Sequence, residues 1–80
     1  MISIGYGNFI NADQVIAVIN PESAPVKRMV SDAKDNGTAV DATYGRRTRA
    51  VIVMCSGQVV LAPIQPQTII DKAQKTKKDA

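Results

Sequence analysis

Histidine and tryptophan are absent from this 80-residue chain, and cysteine occurs once. Without histidine, the commonest metal ligand and the side chain best suited to proton transfer near neutral pH are missing. One cysteine, Cys55, allows neither an intrachain disulfide nor a four-thiolate zinc site. No carboxylates pair in a catalytic motif, so the residues point to no enzyme, cofactor, metal site or small-molecule substrate. Tyr6, Phe9 and Tyr44 are the whole aromatic set, which leaves the core to Val, Ile, Ala and Met. No apolar run approaches the roughly 20 residues of a membrane span. Met1-Ile-Ser-Ile4 also lacks the basic start and long apolar stretch of a signal peptide. The expected setting is cytoplasmic, with no membrane partner.

What is present is a globular composition, 45% hydrophobic and 21% charged, with no internal repeat. The net charge of +3 is modest, but its distribution is lopsided. Residues 1–26 hold no Lys or Arg, and residues 51–70 hold no charged side chain. All ten basic residues fall in three clusters: Lys27, Arg28 and Lys34; Arg46, Arg47 and Arg49; Lys72, Lys75, Lys77 and Lys78. Nucleic-acid footprints are local patches of this kind.

Ile2-Ser-Ile4 alternates and runs through Gly5-Tyr-Gly-Asn8 into Phe9-Ile10, two short strands about a glycine-directed bend. Ile10 stands where a dinucleotide fingerprint needs its third glycine, and no helix follows, so this GxG is structural. Gln14 to Ile19 reads as a strand stopped by Asn20-Pro21. Ser23 can cap a helix whose first turn tolerates Pro25. Val26, Met29, Val30 and Ala33 then recur at helical period, and Asn36-Gly37 closes the helix. Thr38 to Thr43 predicts a strand, Tyr44-Gly45-Arg46-Arg47 a turn, and Thr48 to Cys55 the strongest strand of the chain. Ser56-Gly57 predicts a tight hairpin into Gln58 to Ala62. Pro63 to Pro66 reads as a linker, and Thr68 to Lys78 as a short helix ending in lysines or a frayed, solvated tail.

Both alternate sets of the strongest strand are apolar: Val51, Val53 and Cys55, then Ala50, Ile52 and Met54. Both faces should therefore be covered. One helix pair covers one face, and a neighbouring subunit is the expected cover for the other. Ile52 and Met54 are thus candidate assembly or structural residues, and Cys55 reads as a buried small hydrophobe. The architecture expected is α+β: a small, mainly antiparallel sheet with two helices. Residues 1–70 make the single domain, and residues 71–80 a basic helix end or tail.

Gly45-Arg-Arg-Thr-Arg49 is the constellation whose chemistry exceeds what folding requires. Each guanidinium is a planar fork of donors that fits phosphate bidentately and can reach guanine edges. The Gly45 amide and the Thr48 hydroxyl can add phosphate contacts. On strand alternation Arg47 and Arg49 share a face, while Arg46 is aimed from the turn. Competing readings are a solvated tip, an acidic protein partner in a structural or adaptor assembly, and RNA.

Asn20-Pro-Glu-Ser-Ala-Pro25 with Lys27-Arg-Met29, followed by Asp41-Ala-Thr-Tyr-Gly-Arg-Arg-Thr-Arg-Ala-Val51, resembles the RemA family of bacterial extracellular-matrix regulators. Gly5-Tyr-Gly-Asn8 matches that family's Gly-aromatic-Gly-Asn opening. The resemblance spans about residues 2–70. It implies a transcriptional activator of biofilm-matrix genes, associated with the nucleoid and built as a ring of identical subunits that contact and bend double-stranded DNA. It further implies a subunit similar to the LytTR DNA-binding domain. The family's DNA-contacting arginines fall on Arg46 and Arg47, with Arg49 a third, and its helix-start proline falls on Pro25. The resemblance also places a DNA-contacting arginine of matrix-activating members at a position that is Gln14 here.

Overall fold

The computed structural model describes residues 1–79, with side chains described as far as Gln74. Strands β1 (Ile2–Gly5) and β2 (Asn8–Ile10) form an antiparallel hairpin. A 3-10 turn over Ala12–Gln14, capped by the Asn11 side chain on the Asp13 N–H, leads into β3 (Val15–Ile19). Helix α1 spans Ala24–Asn36. The Ser23 hydroxyl accepts from the Val26 N–H at 3.4 Å, and Pro25 occupies the first turn, where its missing N–H costs nothing. Gly37 ends the helix at φ 76°, a left-handed conformation that a Cβ would strain, and its N–H returns to the Ala33 and Lys34 carbonyls.

β4 (Ala39–Asp41), β5 (Ala50–Met54) and β6 (Val59–Ala62) complete a four-stranded sheet in the order β3-β5-β6-β4. β5 pairs antiparallel with β3 and with β6, but β4 pairs parallel with β6. The architecture is α+β with two helices, as expected, and the sheet is mixed. Two features produce this: α1 carries the chain from one edge of the sheet to the other, and the β5–β6 hairpin then fills the gap.

β5 is sealed on both faces over Ala50–Ile52. Val51, with Val59 and Leu61, packs under Val26, Met29, Val30 and Ala33 of α1. Ala50 and Ile52, with Val60 and Ala62, meet Ile2, Ile4 and Ile10 of the hairpin. Helix α2 (Pro66–Asp79) adds Ile69 and Ala73 to that second layer. The expectation that a neighbouring subunit covers one face is therefore corrected, because the β1–β2 hairpin and α2 of the same chain do so. Ile52 is fully buried core, and Met54 is half-buried against the same layer.

Cys55 is exposed, against the buried position expected of it. The connection after β5 is wider than a two-residue Ser56-Gly57 turn. Gly57 N–H reaches the Met54 carbonyl at 3.0 Å, and Met54 N–H reaches Gln58, so Cys55 lies in the turn and not in the strand. Pro66 likewise leaves the expected linker to begin α2, the first helical position being one where proline is favoured. Lys75, Lys77 and Lys78, read as helix end or tail, have side chains outside the described residues.

Candidate nucleic-acid interface

The arginine segment belongs to an eight-residue connection between β4 and β5, and its shape is set by local hydrogen bonds. β4 stops at Asp41, short of the expected Thr43, because the Asp41 carboxylate accepts from both the N–H and the hydroxyl of Thr43. A side chain that satisfies the backbone two residues on competes with the strand ladder and turns the chain. These Thr43 hydrogen bonds, the hydroxyl first, hold the Asp41 carboxyl below the usual carboxylate range. Slight desolvation opposes them, and the Lys34 charge adds to them.

The next turn is closed by the Arg46 N–H on the Thr43 carbonyl at 3.0 Å. Both central residues are left-handed, Tyr44 at φ 52° and Gly45 at φ 80°. Gly45 suits this geometry and exposes its amide, whereas tyrosine rarely adopts it. The segment is moored to the end of β6 on both sides: Ala42 N–H donates to Leu61 at 2.9 Å, and Arg49 N–H donates to Ala62 at 2.8 Å. Ala42 and Thr43 are buried, while Tyr44, Gly45, Arg46, Arg47 and Arg49 are exposed and Thr48 is half-buried. The backbone is fixed and the charged ends are exposed to solvent.

Pro21, Glu22, Arg47 and Thr48 line two adjoining grooves. One, of about 530 Å³, is walled by Arg47, Thr48 and Arg49, by Asn20 to Glu22, and by Gln65 to Gln67. The other, of about 390 Å³, brings Lys27 and Lys34 of α1 to the far side of Arg47. Two basic clusters separate in sequence therefore converge on one surface. Arg46 points apart, with its guanidinium carbon 5.9 Å from the centre of the Tyr6 ring. Arg47 donates one hydrogen bond to Glu22 at 3.1 Å, and both side chains are about 70% exposed. The Asn20 side chain fixes the start of that carboxylate by accepting the Glu22 N–H at 3.0 Å.

Other candidates lie elsewhere. Gln14 is exposed beside the far end of β5, where its carbonyl accepts from Cys55 at 2.7 Å. At about 3.3 Å per residue, this end is roughly 20 Å along the strand from Arg49. Met54 shares it. Pro25 is exposed at the start of α1. Sequence reasoning missed Tyr6, Glu22, Lys27 and Lys34 as neighbours of the arginines, and the Gly-Tyr-Gly bend was the signal available for Tyr6. Among the described residues, no group of three His, Cys, Asp or Glu side chains is placed to hold a metal ion. Nor is any helix among them long and apolar enough to cross a membrane.

Fold and site together define a small α+β module whose exposed chemistry is cationic and hydrogen-bonding. The chain belongs to the RemA-like family, described as extracellular matrix regulatory protein A-like, whose pattern it matches over residues 1–73. It is 55% identical over 69 residues to extracellular matrix regulatory protein A of Bacillus subtilis, covering 86% of this chain and 78% of that one. A provisionally named regulatory protein of Microcystis aeruginosa is 59% identical over 69 residues, with the same coverage. One of Bacillus pumilus is 53% identical over 72 residues, covering 90% of this chain and 81% of its own.

Proposed function

We propose that this chain is a regulator of extracellular-matrix genes that binds double-stranded DNA through Arg46, Arg47 and Arg49, acting as a ring of identical copies. The observation that carries the reading is the mooring of three exposed arginines on a connection tied at both ends to β6, in a family of regulatory name. Lys27 and Lys34 extend the basic surface across the groove, and the Gly45 amide and Thr48 hydroxyl add phosphate donors.

One subunit supplies about three phosphate contacts from its loop, too few for tight binding in physiological salt. Repetition makes up the deficit, since each engaged patch raises the effective concentration of the next. Copies would meet at the sheet edges, because both faces of β5 are already sealed over Ala50–Ile52. β3 and β4 are the two edge strands, and they expose Ile16 and Val40. A contact from one edge to the opposite edge of the next copy is head-to-tail, the kind that closes into rings.

A duplex titration at stated salt, with native mass measured alongside, tests the reading. Affinity should climb steeply from a duplex of about 12 base pairs to one of about 60. Arg46→Ala or Arg47→Ala should nearly abolish binding without changing the native mass. The slope of log K against log salt should flatten by about 0.9 for each phosphate left unneutralised. Equal affinity for both duplexes, or a monomeric mass, refutes the multivalent mechanism. Normal binding by both variants refutes the arginine surface and leaves an acidic protein partner as the better reading, since Arg47 already accepts a carboxylate as its partner.

A further inference from the structure

All three aromatic side chains of this chain are on its surface: Tyr6 is 51% exposed, Phe9 59% and Tyr44 67%. Two of them converge. The Tyr6 and Tyr44 rings lie 5.3 Å apart at a 59° tilt, although they come from turns 38 residues apart in sequence. Each occupies a left-handed backbone position, φ 55° and φ 52°, and no other non-glycine described residue has a positive φ. Asparagine or glycine would sit there with less strain, so folding alone does not account for a bulky ring at either place. Such strain gathers at ligand-binding sites, and the inference runs from the outlier to the site. The pair is also continuous with the basic surface, because Tyr44 precedes Gly45-Arg46 and the Arg46 guanidinium lies over the Tyr6 ring.

We propose that Tyr6 and Tyr44 form one aromatic step of the DNA-contacting surface, packing against deoxyribose and base edges of the duplex, with Tyr6 also positioning Arg46. The proposal rests on the DNA-binding reading above. Aromatic and apolar side chains against sugars and base steps supply affinity that does not depend on counterion release, and they favour bent DNA. Arginines supply the salt-dependent part. The two contributions are separable by experiment.

The test titrates the full chain with a mixed-sequence duplex over a salt series, using Tyr6→Asn, Tyr44→Asn, the two Tyr→Phe variants, Arg46→Ala and Arg47→Ala. Asparagine tolerates the left-handed backbone, so both Asn variants should melt at or above the wild-type temperature. Each should bind about five- to tenfold more weakly for each engaged copy, the lower range for removing one aromatic ring from a nucleic-acid interface. Tyr44→Asn should leave the salt slope unchanged. Tyr6→Asn should flatten it toward that of Arg46→Ala, the signature of a positioning role, and both Phe variants should bind as wild type. Wild-type binding by both Asn variants, with Arg46→Ala defective, overturns the aromatic step and leaves the arginine surface standing. Wild-type binding by Arg46→Ala and by Arg47→Ala as well overturns both. Tighter binding to a single strand than to the duplex overturns the duplex contact in favour of base stacking.

Discussion

Arg47 is the arginine whose fork is already in use. Its Nη2 donates to Glu22 Oε1 at 3.1 Å, and the side chains are 71% and 69% exposed. Exposed pairs of this kind contribute about 0–1 kcal/mol, and this one has a single hydrogen bond in place of the stronger bidentate geometry. A phosphate arriving at Arg47 must displace that carboxylate or share the guanidinium with it, beside a negative charge that also lines the groove. On the proposed DNA-binding reading, Glu22 is an internal competitor for DNA. Glu22→Gln keeps the shape and removes the charge, so affinity for duplex should rise by up to about fivefold for each engaged copy. Where three copies meet one duplex, the gain compounds toward about a hundredfold.

Titration of a long duplex between low and physiological salt reads this directly. The gain should shrink as salt rises, since the charge it removes is screened there. A double-mutant cycle assigns the cause. On an Arg47→Ala background, Glu22→Gln should have a smaller effect, because no guanidinium remains to be released. Melting should stay within about 0.5 kcal/mol of wild type, as for a surface substitution that touches no core. Unchanged or weaker binding by Glu22→Gln refutes the competition. A full gain persisting without Arg47 would assign the effect to the field of Glu22 and not to its ion pair.

Ile52→Ala, at a fully buried site under the β1–β2 hairpin, should cost about 2–5 kcal/mol in chemical denaturation. A loss under about 1 kcal/mol would mean that the second layer packs loosely. Cys55 should react with an alkylating reagent in the native protein at nearly the rate of the denatured chain, and the modified protein should bind DNA unchanged from the far end of β5. Strong protection of the thiol, or binding lost on modification, would contradict its place in the turn. Asp41 has a folded pKa below its unfolded value, so its contribution is present above about pH 4 and is lost as pH falls through the folded value. Asp41→Asn should make the acid-side decline of melting temperature shallower, whereas an unchanged pH profile would remove the Asp41–Thr43 latch from the stability of the loop.

The elements most legible in the sequence were those written in neighbouring residues. Ser23, Pro25, the Val26-to-Ala33 stripe and Gly37 specify α1 within one stretch of chain, and the helix forms where they say. The Gly45-Arg46-Arg47 turn is local too, and its exposure follows from its composition. The strand ends were less legible. Thr38 to Thr43 has the propensity to continue β4, but the Asp41 carboxylate takes the Thr43 N–H at 2.9 Å and diverts the chain. Cys55 continues the apolar alternation of Val51 and Val53, and only the hydrogen-bond pattern of the turn, Gly57 to Met54 and Met54 to Gln58, moves it out of the strand. Propensity describes a residue's preference for a strand; ladder closure decides where the strand stops.

A different limit governs β5. The apolar character of both Val51 and Ile52 reports correctly that each face is dry, since burial selects the residue type whatever does the burying. It carries no information on which atoms supply the cover, and a neighbouring copy and the chain's own hairpin leave the same mark on those positions. The answer lies in Ile2, Ile4 and Ile10, whose alternation was visible but whose docking partner was not. The same reasoning applies to the surface. Tyr6 and Tyr44 are 38 residues apart in sequence, and Lys34 and Arg47 are 13 apart, so no spacing rule joins either pair. Topology joins them: α1 crosses the sheet above Val51 and Leu61, which sets Lys34 across a groove from Arg47, while the β1–β2 hairpin packs on the opposite face and carries Tyr6 to the arginine turn. The proposed binding surface is thus assembled by the same two covers that seal the core. A substitution that loosens either cover should weaken the core and misplace part of the binding surface together.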